Sequence, residues 1–211
     1  MDKQQTQKNG TAIGTEVSIE RSGPSMFRSY VVERPTPASD LHAVEGVLDV
    51  SVKLSYPAKK VWPVFKNFDS WMNRFGYVWQ GLPADNENNY VYLGNSLAAN
   101  DLKYGSGGST NTYIVRKVIE EKLLYFDSLP YKVLDKDSMF TGHNLMTLNE
   151  EGGQTEISIF MEHTWYSKTM ELKSIEAEAR QIMCVAVPAF WRDYFIPDLI
   201  SLVESGKTRA A

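Results

Sequence analysis

The residue whose surroundings say most about chemistry is His163. In QTEISIFMEHTW, Ile157, Ile159, Met161, His163 and Trp165 alternate with Glu156, Ser158, Glu162 and Thr164, and only Phe160 breaks the polar set. A strand here puts the imidazole on an apolar, aromatic face. An imidazole can give or take a proton near neutral pH, yet a lone histidine so placed is more often a hydrogen-bonded core or cavity residue, and burial displaces its pKa in either role. The other histidines are His42 and His143. Pairing Thr155 with Leu148 and Ile157 with Met146 turns the apolar residues of both hairpin strands inward and His143 outward, so no histidine dyad is expected. A metal site needs three or four ligands at usable spacing. Three scattered histidines without an HxxxH or CxxC do not supply it, and neither metal nor cofactor is expected.

Other reactive groups read as structural. Cys184, the single cysteine, falls in an apolar helical stretch with no sign of a lowered thiol pKa, which suits packing. The glycines of YGSGGST (residues 104 to 110) lack the lysine and the strand–helix context of a phosphate cradle and read as an inter-strand loop. Glu120/Glu121 and Glu150/Glu151 fall at a strand end and a turn, where solvent is the natural environment. Glu176 falls on an inward helical stripe, where it either closes a cavity end or sits in a solvated first turn. Trp71, Tyr92, Tyr113, Tyr125, Trp165, Phe190 and Tyr194 make an aromatic set of either plain core or cavity wall. An aromatic content of 12% with several hydroxyls leans toward the wall, because buried tyrosine hydroxyls need partners.

Two kinds of element must position these groups. From Thr169 to Glu204, at about 100° per residue, Leu172, Ala179, Met183, Val187, Phe190 and Tyr194 share one stripe and Glu178, Gln181 and Arg192 lie opposite. Such a helix needs a partner surface, and Pro188 and Pro197 should bend or divide it. Strands supply that surface. VLDVSVKLSY (47 to 56) alternates as a half-buried antiparallel strand. Pro57 ends it, and AKKVWPVFKNF follows at helical spacing, starting late or bending at Pro63. Asp69 then caps a second short helix, SWMNRF. YVWQG, NYVYLGN, NTYIVRKVI and KLLYFDSL are further strands, followed by the hairpin HNLMTLNEEGGQTEISIFMEHTW.

The 211 residues, 43% hydrophobic, suffice for one domain with a large core. Residues 1 to 43 read as a partly mobile N-terminal arm, in which 26 to 32 make a short strand or a segment packed on the body. Residues 44 to 205 form the domain, and 206 to 211 a mobile tail. With 22 basic and 26 acidic residues, a net charge of −4 offers no footprint for nucleic acid or anionic lipid. No apolar run approaches the roughly 20 residues of a membrane span, and the polar N-terminus shows no secretory signal, so a cytoplasmic protein is expected. The sequence sets no oligomeric state.

Strand, two short helices, a meander of six or seven antiparallel strands in all and a long C-terminal helix make an α+β pattern. Pro57, Ala58, Val61, Trp62, Asp69 and Trp71, with the hairpin and the last helix, carry a resemblance to the START-like superfamily, also called helix-grip, Bet v 1-like or SRPBCC. It extends over about residues 44 to 204, toward the polyketide cyclase/dehydrase-like branch. The resemblance implies a curved sheet wrapped around the C-terminal helix, with a cavity between them for a hydrophobic small molecule such as a lipid, steroid, polyketide or aromatic intermediate. On this reading the wall comprises Trp71, Tyr92, Tyr113, Tyr125, Met161, His163, Trp165, Ala179, Met183, Val187, Phe190 and Tyr194. Relatives include carriers, sensors and a few enzymes, which leaves two alternatives to simple binding. One is a cyclase-type enzyme in which His163 shuttles a proton and Tyr113, Tyr125 or Tyr194 orients an oxygen. The other is a protein-interaction module on the same scaffold.

Overall fold

The strand signals resolve into one antiparallel sheet. A computed structural model describes residues 18–22, 25–34, 41–66, 77–81, 90–95, 110–132 and 138–206. The strands are β1 (Ser18–Ser22), β2 (Ser25–Arg34), β3 (His42–Leu54), β4 (Tyr77–Gly81), β5 (Tyr90–Asn95), β6 (Thr110–Ile119), β7 (Leu123–Lys132), β8 (Met139–Glu151) and β9 (Gln154–Ser167). They lie in the order β1-β2-β3-β9-β8-β7-β6-β5-β4. Seven of the nine belong to the expected domain. The other two come from the N-terminal arm, which extends the sheet when β2 pairs along β3 from Ser25↔Val52 to Arg34↔Ala43. Phe27 and Val31 thereby enter the core.

Local chemistry sets the shape. The β8–β9 hairpin turns at Gly152 and Gly153, both at positive φ (60° and 76°), as a tight two-residue turn matched to strand twist requires. Its register is Leu148↔Ile157 and Met146↔Ile159, two residues from the expected pairing. Because side chains alternate with period two, the facing is unchanged. In β6 the ladder slips between Val115 and Lys117, leaving Arg116 as an extra residue. Such a bulge bends a strand. A second slip, between Ser128 and Tyr131 of β7, contains Pro130, which has no N–H for a ladder bond. The Thr141 hydroxyl donates to the Ser128 carbonyl there at 2.9 Å.

Helix α1 (Ala58–Phe65) starts directly after Pro57, with Pro63 inside it and exposed. It starts at Ala58 because the Glu150 carboxylate accepts the Ala58 backbone N–H at 2.8 Å. Glu150 is therefore a capping residue, not the solvated turn residue the sequence suggests. The second short helix, with Asp69 and Trp71, lies outside the described residues. The C-terminal helix runs from Leu172 to Ser205 as α2 (Leu172–Arg180), a π-helical segment (Gln181–Ala186), α3 (Val187–Phe190), a second π-helical segment (Trp191–Phe195) and α4 (Ile196–Ser205). The two prolines thus neither divide the helix nor end it. Each comes just after a π segment, whose wider turns accommodate a residue that lacks an N–H and crowds the carbonyl four positions back. The helix closes at Gly206, left-handed at φ 64°, whose N–H reaches the Leu202 carbonyl at 3.1 Å.

Candidate functional site

On the inner face of the sheet, Gly46 (β3), His163 (β9), Gly142 (β8), Ser128 (β7) and Tyr113 (β6) are successive register partners in one transverse row. The imidazole stands between two glycines, and each has a steric reason. A Cβ on Gly142 would lie 2.2 Å from His163 Cδ2, so only glycine leaves room for the ring. A Cβ on Gly46 would lie 2.6 Å from Met183 Cγ, so that glycine lets the C-terminal helix seat directly on β3. The helix backbone accordingly runs closest to β2, β3 and β9, while α4 packs on α1.

His163 is 7% exposed, and its Nε2 lies 3.0 Å from Asn144 Oδ1. The Asn144 amide nitrogen donates a long bond, 3.5 Å, to the Phe126 carbonyl. That orients the amide so that Oδ1 accepts from His163, which places the imidazole proton on Nε2. Desolvation, helped by the charge of His143, lowers the His163 pKa to about 3, so the ring is neutral at physiological pH. Aromatic rings surround it. Phe140 meets it edge-on at 4.7 Å and Trp165 lies at 6.1 Å. Phe140 and Trp165 are themselves in edge contact at 5.1 Å. The Trp165 indole Nε1 is buried without a hydrogen-bond acceptor.

Of the expected wall residues, Met161, His163, Trp165 and Tyr113 share this inner face, with Tyr113 edge-on to Phe126 at 5.3 Å. Ala179, Met183 and Phe190 are buried on the helix, and Val187 packs at the margin of the same core. Two residues fall elsewhere. Tyr125 points to the outer face, where its hydroxyl lies 3.2 Å from His143 Nδ1, because the β6 bulge and its pairing with Lys117 put it opposite an outward residue. Tyr194 is 37% exposed, because the π segments advance the helix by less than the assumed angle per residue. Trp191 and Phe195 take the inward positions instead, in edge contact at 5.0 Å. Glu176 pairs with Arg180, one helical turn on, at 2.8 Å. Glu178, expected opposite the stripe, accepts a bond from buried Ser138 at 2.9 Å. Trp71 lies outside the described residues, as does the side chain of Tyr92.

His143 faces outward as expected, away from His163. Its Nδ1 is 2.7 Å from Asp127 Oδ1, and Arg116 Nε is 2.6 Å from Asp127 Oδ2. Partial burial pulls the Asp127 pKa up, but hydrogen bonds from His143, Arg116 and Tyr125 outweigh it and hold the carboxyl below its usual range. Desolvation first, and then the Asp127 carboxylate, raise the Tyr125 pKa. Among the described residues, no group of three or more His, Cys, Asp or Glu side chains could hold a metal ion, and no helix is long and apolar enough to cross a membrane.

Asn144, Gly142, Gly46, Trp191 and Phe195 were not picked out by sequence reasoning. For Asn144 the signal was present, since the same alternation that turns His143 outward turns its neighbour inward.

No family model and no curated protein matches the chain. Among solved structures it is similar to norcoclaurine synthase from Thalictrum flavum, in complex with dopamine and hydroxybenzaldehyde, at 11% identity. That match covers 79% of this chain and 91% of that one with a TM-score of 0.50, a likeness that shows the fold. A STAR-related lipid transfer protein from Xanthomonas axonopodis matches at 16% identity over 89% of this chain and 98% of that one, TM-score 0.49. CalU16 from Micromonospora echinospora matches at 14% identity over 85% and 94%, TM-score 0.40.

Proposed function

Since the chain has the helix-grip fold of the START-like, Bet v 1-like superfamily, we propose that it binds a hydrophobic, ring-bearing small molecule between the inner face of its sheet and its C-terminal helix. The observation that carries this reading is the buried His163–Asn144 pair. Burying two polar side chains among Phe140, Trp165 and Met161 costs desolvation that one bond between them and a long one to the Phe126 carbonyl offset only in part, which favours a role in recognition. The Gly46–Met183 contact closes the gap at β3. On this reading the guest lies on the other side of His163, toward Ser128 and Tyr113, and the buried rings Phe190, Trp191 and Phe195 are its candidate helical wall.

Binding is preferred to turnover for a chemical reason. A general base works best with a pKa near the operating pH, and His163, lowered to about 3, is too weak a base for proton shuttling at neutral pH. The test is native mass spectrometry of protein purified without denaturation, followed by titration with sterols, fatty acids and aromatic polyketides. A co-purifying or saturably bound apolar molecule is the expected result. A protein that binds nothing in that panel would leave the interaction-module reading in its place.

A further inference from the structure

Building on that binding function, we infer that the guest's polar group is an un-ionised hydroxyl that donates to Nδ1 of His163, and that anionic head groups are rejected. The donors and acceptors around the ring decide which group fits. The His163 proton is on Nε2 and is given to Asn144, whose orientation is held by the Phe126 carbonyl. That leaves the Nδ1 lone pair, to which no described residue donates. The Cδ2 edge of the ring lies against Gly142, so the Nδ1 edge is turned away from β8. A lone pair asks for a donor. An alcohol or phenol supplies one, whereas an ether or ketone offers only acceptors.

The rejection of anions is a matter of charge. Among the described residues no lysine or arginine is buried, and the strand segments YVWQG and YVYLGN contain none in their sequence. A carboxylate taken inside would lose its hydration with no cation to compensate. His163 cannot become that cation without giving up the burial that keeps it neutral. An un-ionised hydroxyl supplies the donor without bringing a charge inside.

Three probes of one skeleton decide the matter: a naphthol, its methyl ether and the corresponding naphthoate, titrated at neutral pH by fluorescence. The naphthol should bind about tenfold more tightly than the ether, the worth of one buried hydrogen bond, and the naphthoate should show no saturable binding. In His163→Leu the naphthol should lose its advantage over the ether. Should that variant fail to fold, the wild-type comparison stands without it. Cholesterol, its methyl ether and its hemisuccinate make the same comparison on a larger skeleton. Equal affinity within each series, or preference for the anion, overturns the hydroxyl assignment while leaving apolar binding intact. Absence of saturable binding by every probe overturns both.

Discussion

A neutral imidazole locked inside a protein links folding to pH with a definite sign. The unfolded chain takes up a proton at His163 below about pH 6.5, whereas the folded chain resists until about 3. Stability is therefore lost as pH falls through that window, by up to about 1.4 kcal/mol per pH unit. Urea denaturation of wild type and His163→Met between pH 7.5 and 4.5, above the range in which Asp127 titrates, should give a shallower slope for the variant. Equal slopes would mean the imidazole is not buried neutral. Gly142→Ala drives a methyl into the ring edge and should destabilise by roughly 3 kcal/mol, combining overpacking with disruption of the Asn144 bond. Adding His163→Ala should relieve part of that loss, with a coupling of about 1 kcal/mol or more in a double-mutant cycle. Strict additivity would refute the steric account. The inward facing of His163 and Asn144 was legible from alternation alone. The need for two glycines beside the ring was not, because it depends on which strands become neighbours.

Among the elements, legibility tracked how regular each one is. In β9 an alternation interrupted only at Phe160 fixes the facing of His163, and even a two-residue error in hairpin register leaves it unaltered. In NTYIVRKVI the bulge at Arg116 breaks the alternation, so the outward direction of Tyr125 could not be read. The C-terminal helix obeys a constant angle per residue only as far as Arg180. Beyond it, two π segments rotate the remaining turns, exposing Tyr194 and burying Trp191 and Phe195. Pro188 and Pro197 were visible as disturbances, but sequence does not distinguish a kink from a widened turn. The Glu150 cap was equally hidden, since it joins a hairpin turn to a helix start far away in sequence. Glu150→Ala should lower stability by about 1 kcal/mol, read as a fall in Tm, and Glu150→Gln should recover part of it. An unchanged Tm in the alanine variant would show that the cap contributes nothing.

At the scale of the whole molecule, the α+β architecture and the strand sequence of the domain were readable, whereas the N-terminal segment could be read equally as a strand or as an arm packed on the body. The covered edge predicts its own test. Removing residues 1 to 40 strips β1 and β2, withdraws Phe27 and Val31 from the core and bares β3 along its length. The expected loss is roughly 4 kcal/mol from side-chain burial alone, with self-association through the open edge seen on size-exclusion chromatography. A truncated chain that self-associates no more than the full chain and has an unaltered Tm would refute this. The register of β3 against β9 carries one more consequence. Leu54 meets Thr155 and His42 meets Ser167, so the seam uniting the first three strands with the other six joins two segments separated in the chain by β4 to β8. A nascent chain holds β3 without that neighbour until all of those strands have been made. Closure of the sheet is thereby a non-local and slow step, in which chaperone shelter matters most before β9 emerges.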